Sequence, residues 1–220
     1  MTSPGLARQR RKDARPQELL GAALDVFVEK GFAAARTDDV AQRAGVAKGT
    51  LYLYFASKDE LLKAVIRHYV AANIQAGAAD AAAFHGSAAE LVRQLVVPWW
   101  QRIVDSPASG VIKLVVTEVR NFPEIADFYA REVIEPGHRL LAQIVEAGIR
   151  SGEFRPIDVH STVFSMMLPM VMLCLHKHSI GPCLETAMIE PHRFIHDHFE
   201  LILGALCLEP APPRVADLEA

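Results

Sequence analysis

Apolar residues recur at spacings of three and four along nearly the whole chain, while β-branched alternation bounded by turn residues is scarce. The pattern predicts an all-α protein. Leu20, Ala23, Leu24, Phe27 and Val28 form one stripe behind Pro16, a residue suited to a first helical turn, and the stripe stops at Lys30-Gly31. Thr37 is the expected N-cap of a short second helix, with Asp38 and Asp39 at its positive end and Val40, Ala41 and Ala44 facing inward until Gly45 halts it. A third short helix fits residues 47–55. Ser57-Lys58-Asp59-Glu60 then supplies a capping box for a fourth, running through Leu61, Leu62, Val65, Ile66 and Tyr69 to about residue 79. Beyond the small-residue linker AADAAAFHGS the pattern predicts longer helices over 87–105, 108–120, 123–150 with a break near Pro136-Gly137, 158–178 and 186–207.

This organisation gives four parts: a flexible basic arm over 1–15, a helical unit over 16–69, a larger helical unit over 70–208 and a flexible tail over 209–220. With 51% apolar and 22% charged residues, the chain has the composition of a globular protein rather than a disordered one. The apolar stretch 159–175 is too short for a bilayer span and reads as a buried helix, and the N-terminus lacks a signal-peptide pattern, so no membrane partner and a cytoplasmic location are expected. Cys174, Cys183 and Cys207 show no metal or disulfide spacing and are expected to be small buried hydrophobes. Charge is uneven. Residues 1–68 carry 12 Lys and Arg against 8 Asp and Glu, whereas residues 69–220 carry 11 against 18, so the first third suits a polyanion that the rest would repel.

The second and third helices, with a tight turn at Gly45-Val46, have the dimensions of a helix-turn-helix, whose second helix enters the major groove of DNA. Lys48 can bond phosphate or guanine, Gly49 allows close backbone approach, and the Thr50 hydroxyl can meet a base edge or phosphate. Tyr52 and Tyr54 carry hydroxyls that reach phosphate, Leu53 can touch a thymine methyl, and Thr37 and Lys58 flank the element at helix starts. Val46, Leu51 and Phe55 are spaced to face the core. Taken alone, the two tyrosines fit a core plug as well as a DNA contact.

The joint pattern is more specific. Residues 16–69 resemble the DNA-binding domain of the TetR family of transcriptional regulators. The resemblance runs through Leu24, Phe27, Lys30-Gly31-Phe32, Thr37, Val40-Ala41, the run from Ala44 to Tyr52, Tyr54-Phe55, Ser57-Lys58 and Leu61-Leu62. It implies that Thr37, Lys48, Tyr52 and Lys58 meet DNA. Tyr54 stands where a histidine is frequent and Leu53 where an aromatic is frequent. Arg8, Arg10, Arg11, Lys12 and Arg15 could enter a neighbouring minor groove or form a solubilising tail.

The resemblance further implies a second helical domain that binds a small-molecule effector and forms a homodimer, which would hold two recognition helices about 34–36 Å apart on a palindromic operator. Candidate dimer residues are Leu168, Val171, Phe194, Ile195, His198, Phe199, Ile202 and Leu206, with an intrachain core as the competing assignment. Candidate ligand residues are Trp99, Trp100, Ile103, Phe122, Phe128, Tyr129, Phe164 and Met167. The two adjacent indoles cannot both occupy one narrow stripe, and few charges fall among these positions, so a largely apolar or aromatic effector is expected. No catalytic constellation, cofactor fingerprint or closed metal set appears, and His192, His196 and His198 read as surface or interface residues. The expected function is a ligand-responsive repressor and not an enzyme. The rival is a helical small-molecule-binding protein or enzyme without specific DNA binding.

Overall fold

The computed structural model describes residues 4–184 and 189–208; the expected tail, 209–220, lies outside the described residues. Every long element among them is a helix. The first three are α1 (Pro4–Lys30), α2 (Thr37–Arg43) and α3 (Lys48–Tyr52). α4 spans 58–83 without interruption, as α-helix over Lys58–Ile66, a wider π turn over Arg67–Ala71 and α-helix again over Ala72–Ala83. α5 spans 88–105 and α7 spans 123–151, each with its own π turn, Val92–Val96 and Ala130–Ile134. Between them lies α6 (Ala108–Glu118), and α8 (Val159–His178) and α9 (Pro191–Leu206) complete the chain.

Several sequence expectations are corrected here. Residues 4–15, expected as a flexible arm, continue α1, so Pro16 lies inside that helix. Arg36, not Thr37, takes the extended N-cap conformation of α2, and its backbone N–H donates to the Asp39 carboxylate at 3.1 Å. No break occurs at Pro136-Gly137. A proline lacks an N–H and crowds the carbonyl four residues back. The π turns at Val92–Val96 and Ala130–Ile134 contain those fourth residues ahead of Pro98 and Pro136, and the widened turn lets each helix continue. α8 ends at His178, as its pattern predicted, but taken whole it is long and apolar enough by composition to cross a membrane, unlike the stretch 159–175 alone; in this fold it packs against α6 and α7, with Thr162, Val163, Met166, Met170, Leu173 and Cys174 buried. Of the cysteines, Cys174 is buried, Cys207 half-buried and Cys183 exposed.

The turn from α2 into α3 has a specific cause. Gly45 adopts φ +65°, its N–H donates to the Gln42 carbonyl at 3.1 Å, and the Val46 N–H reaches back to Ala41 at 2.9 Å. This paired closure requires the left-handed region that glycine enters at no steric cost. Ser57 caps α4 by accepting the Glu60 N–H at 3.1 Å. Leu24, Phe27, Phe32, Val40, Leu51, Leu61 and Val65 are buried together, and this cluster is continuous with the core between α4 and α9. Residue 69 falls in the π turn of α4, so the two units expected from the sequence share one unbroken helix. α1 packs on both α4 and α6.

Candidate DNA-binding surface and ligand cavity

The turn at Gly45 aims α3 so that Leu51 is buried while Val46 and Phe55 rest half-buried on the core, the three positions whose spacing predicted it. The opposite side is open. Leu53 is 82% exposed, Tyr52 and Tyr54 are exposed, Lys48 and Gly49 are exposed, and Thr50 is half-buried. A side chain at Gly49 would meet nothing within 4 Å, so the backbone there is free for close approach. The Thr37 hydroxyl and the Tyr52 hydroxyl lie 3.0 Å apart, joining the start of α2 and the end of α3 into one polar edge. The Lys48 ammonium pairs with the Asp38 carboxylate at 2.8 Å, and that hydrogen bond and charge raise the lysine above its ordinary pKa. Lys48 therefore stays charged and must leave Asp38 to meet a phosphate.

Lys58 is the correction on this surface. Its ammonium donates to the carbonyls of Phe32, Ala33 and Ala35 at 2.8, 3.3 and 3.1 Å, and sits 4.5 Å from the centre of the Phe32 ring. All three N–H donors are thereby used within the protein. The lysine closes the turn between α1 and α2 and does not project beside Lys48.

Beneath this unit lies a cavity of about 240 Å³ lined by α4, α5, α6, α7 and α8. Six of the eight expected ligand residues line it: Trp99, Trp100, Ile103, Tyr129, Phe164 and Met167. Phe122 and Phe128 do not. Phe122 instead packs edge-on against Phe32, with ring centres 4.8 Å apart, and buried Phe128 lies under the Arg67 guanidinium at 4.6 Å. Sequence reasoning missed the α4 wall of Val70, Ile74, Gly77 and Ala81; its signal was a helix of small residues with apolar positions on two sides. Exposed Val116, Ile134 and Leu168 also line the cavity and form its rim at the surface. Among the described residues, no charged side chain lines it.

Residues 19–65 match the family model described as bacterial regulatory proteins, tetR family. An uncharacterized HTH-type transcriptional regulator of Bacillus subtilis, YfiR, is 27% identical over 175 residues, covering 76% of this chain and 81% of that protein. The HTH-type transcriptional repressor KstR2 of Rhodococcus jostii is 29% identical over 161 residues, 72% of this chain and 78% of its own. The chain belongs to the TetR family. Its fold is also that of the Bacillus subtilis regulator FadR, solved in complex with stearoyl-CoA, at a TM-score of 0.71 and 20% identity over 86% of this chain and 98% of that one. The protein is thus a TetR-family transcriptional regulator, of a family whose members bind DNA and small-molecule effectors.

Of the eight expected dimer residues of this TetR-family chain, Ile195, Phe199 and Leu206 are fully buried within the monomer and belong to its core. Val171 lines the cavity, and Phe194, His198 and Ile202 are half-buried. Leu168 is exposed, and near it in the pattern stand two exposed residues that the sequence reading omitted, Met172 on α8 and Leu201 on α9. The histidines have separate partners: His192 with Asp105 at 2.9 Å, His196 with Asp197 at 3.2 Å, and His198 with the Ser165 carbonyl at 3.1 Å.

Proposed function

We propose that this regulator is a cytoplasmic, homodimeric repressor that binds a palindromic operator and is released by a small, largely apolar or aromatic effector. One observation carries the proposal: the apolar cavity is walled by α4 and α6, the same two helices on which α1 of the DNA-binding unit rests. An occupant that moves either wall moves the seat of α1. In the operator-bound state Lys48, Gly49, Thr50, Tyr52, Leu53 and Tyr54 would face the duplex, with Thr37 fixing the Tyr52 hydroxyl. Lys48 is the candidate base reader and the tyrosines are phosphate contacts.

The effector acts by differential affinity. It favours an arrangement in which the two recognition helices no longer match successive major grooves, and operator affinity falls by the same factor as effector affinity differs between the two arrangements. The FadR structure holds stearoyl-CoA in a protein of the same fold; for this chain the reading rests on its own lining residues. A gel shift comparing the gene's upstream region with unrelated DNA at two salt concentrations tests the DNA half. Sequence preference that survives added salt supports it, and equal binding to both DNAs sinks it. Compounds that raise the melting temperature are then added to the operator complex; release supports the effector half of the proposal, and unchanged or tighter binding overturns it.

A further inference from the structure

Among the described residues, three side chains with a nitrogen or oxygen atom line the cavity: Trp99, Trp100 and Tyr129. Two of these polar atoms are out of use. Trp99 donates its Nε1–H to the Asn73 carbonyl at 3.3 Å, and the Trp100 Nε1 is sealed inside the packed wall, closed to any occupant. The Tyr129 hydroxyl differs from both. It has no hydrogen-bond partner among the described residues, yet unlike the Trp100 nitrogen it keeps accessible surface. Tyr129 is half-buried by surface, while its hydroxyl lies so far inside the protein that burial pushes the phenol's pKa well above its ordinary value. A group that is deep and still accessible faces an internal space, and the space that Tyr129 lines is this cavity.

We infer that the cavity's occupant is an uncharged, largely apolar molecule carrying one oxygen, a carbonyl or an ether, that accepts the Tyr129 O–H. This rests on the reading of the cavity as the effector site. With walls otherwise apolar, a water molecule at the hydroxyl would find one side-chain partner where it needs about two to four. An oxygen borne on an apolar body meets the hydroxyl and fills the space around it together. An ionised carboxylate would lose its hydration without gaining a countercharge, and a pure hydrocarbon would bury the hydroxyl unpaired. Selectivity then comes from the single hydroxyl, and binding strength from the apolar walls.

Three probes of nearly one shape separate these cases: acetophenone, isopropylbenzene and benzoate, differing only in the atoms on the branch carbon. Calorimetric titration of the full-length protein at neutral pH should show acetophenone binding and benzoate weaker by on the order of 100-fold. Tyr129→Phe removes the hydroxyl and keeps the ring. That variant should melt no lower than the unaltered protein, because the oxygen it loses has no partner in the fold. Acetophenone should weaken in it roughly 2- to 10-fold, while isopropylbenzene binds at least as well as before. The carbonyl stretch of bound acetophenone should lie at lower frequency in the unaltered protein than in Tyr129→Phe. Benzoate binding as tightly as acetophenone overturns the inference, as does a Tyr129→Phe protein that melts lower or binds both neutral probes with an unchanged ratio. In each of those cases the cavity still takes a ligand, so the effector site stands and only its chemistry is misjudged. If the folded protein binds none of the three up to their solubility, the effector site itself falls and the inference with it.

Discussion

Two lysines that look alike in the sequence do different work. Lys48 is held at 2.8 Å by Asp38 on the exposed face of the helix-turn-helix, while Lys58 is turned onto three carbonyls of the α1–α2 turn. The motif made both candidates for DNA; what separates them is a set of carbonyls more than 20 residues away in sequence, which no local pattern reports. Asp38→Asn should free Lys48 and remove a negative charge from the DNA face, tightening operator binding about two- to fivefold. Because Lys48 is taken as a base contact, the gain should be larger on the operator than on unrelated DNA, with the slope of log affinity against log salt little changed. Unchanged affinity in a salt series would show that Lys48 does not meet the duplex. Lys58→Ala should instead act on stability, because the part-buried carbonyls of Phe32 and Ala35 lose their donor at a cost of about 1 kcal/mol. Thermal melts should drop by about 2–4 °C per kcal/mol at this chain length. A loss of operator affinity with no change in melting would return Lys58 to the phosphate role. His178 supplies the pH term at this scale. Burial first, then the charges of Lys177 and Lys113, hold its pKa below the usual imidazole value, and its ring nitrogen lies 2.9 Å from the buried Ser109 hydroxyl. The unfolded chain takes up this proton more readily. Its contribution is therefore complete above about pH 6.5 and is lost as pH falls toward the lower folded value. Melting temperature should decline from pH 7 to pH 5, and less steeply in His178→Gln.

At the scale of elements, the helices were legible because burial imposes spacings of three and four, and Leu24, Phe27, Val40, Leu51, Leu61 and Val65 all keep them. The π turns were not legible. A π turn shifts the phase of the stripe, and a proline in sequence signals a stop; only packing decides that the helix widens ahead of Pro98 and Pro136 and carries on. Phe122 shows the same limit for a site residue. Its aromatic character suggested the cavity, but the end of α6 delivers it to Phe32 in the DNA-binding unit. Beside it, the Glu118 carboxylate accepts the Ala33 N–H at 3.4 Å and lies against Gly31, where a side chain would meet it at 2.9 Å. α6 thus has the cavity residues Ile112 and Val116 along its length, one grip on the α1–α2 turn at its end through Glu118, and a second in the segment that follows through Phe122. Phe122→Ala with Glu118→Gln should leave ligand-free operator affinity within a few-fold while reducing the ligand-induced change. The measurement is operator affinity with and without a saturating effector. A coupling as large as in the unaltered protein would move the route from α6 to α4.

At the scale of the whole molecule, the proposed homodimer needs a surface that would set two DNA-binding units at a fixed separation. The excess of apolar residues on the last two helices was legible in the sequence, but its division between core and surface was not, since it depends on how α9 is rotated against α5 and α8. Ile195, Phe199 and Leu206 face inward, whereas Leu168, Met172 and Leu201 are 58, 60 and 75% exposed. Leucine and methionine that stand so far out on neighbouring helices fit a surface closed by a second copy, which would place a two-fold axis near α8 and α9. Leu168 belongs both to this face and to the rim of the cavity, so a partner there would narrow the cavity mouth and make effector entry sensitive to dimer opening. Leu201→Glu tests the arrangement without touching the core, because the native side chain already meets solvent and the new charge harms only an interface. Melting temperature at low protein concentration should be nearly unchanged, and sedimentation should shift from dimer to monomer. Operator affinity should fall by on the order of 100-fold or more, since each half-site is then bound without the effective concentration that linkage supplies. A Leu201→Glu protein that remains dimeric would move the interface away from α9, and a monomer that kept full operator affinity would remove the need for two recognition helices altogether.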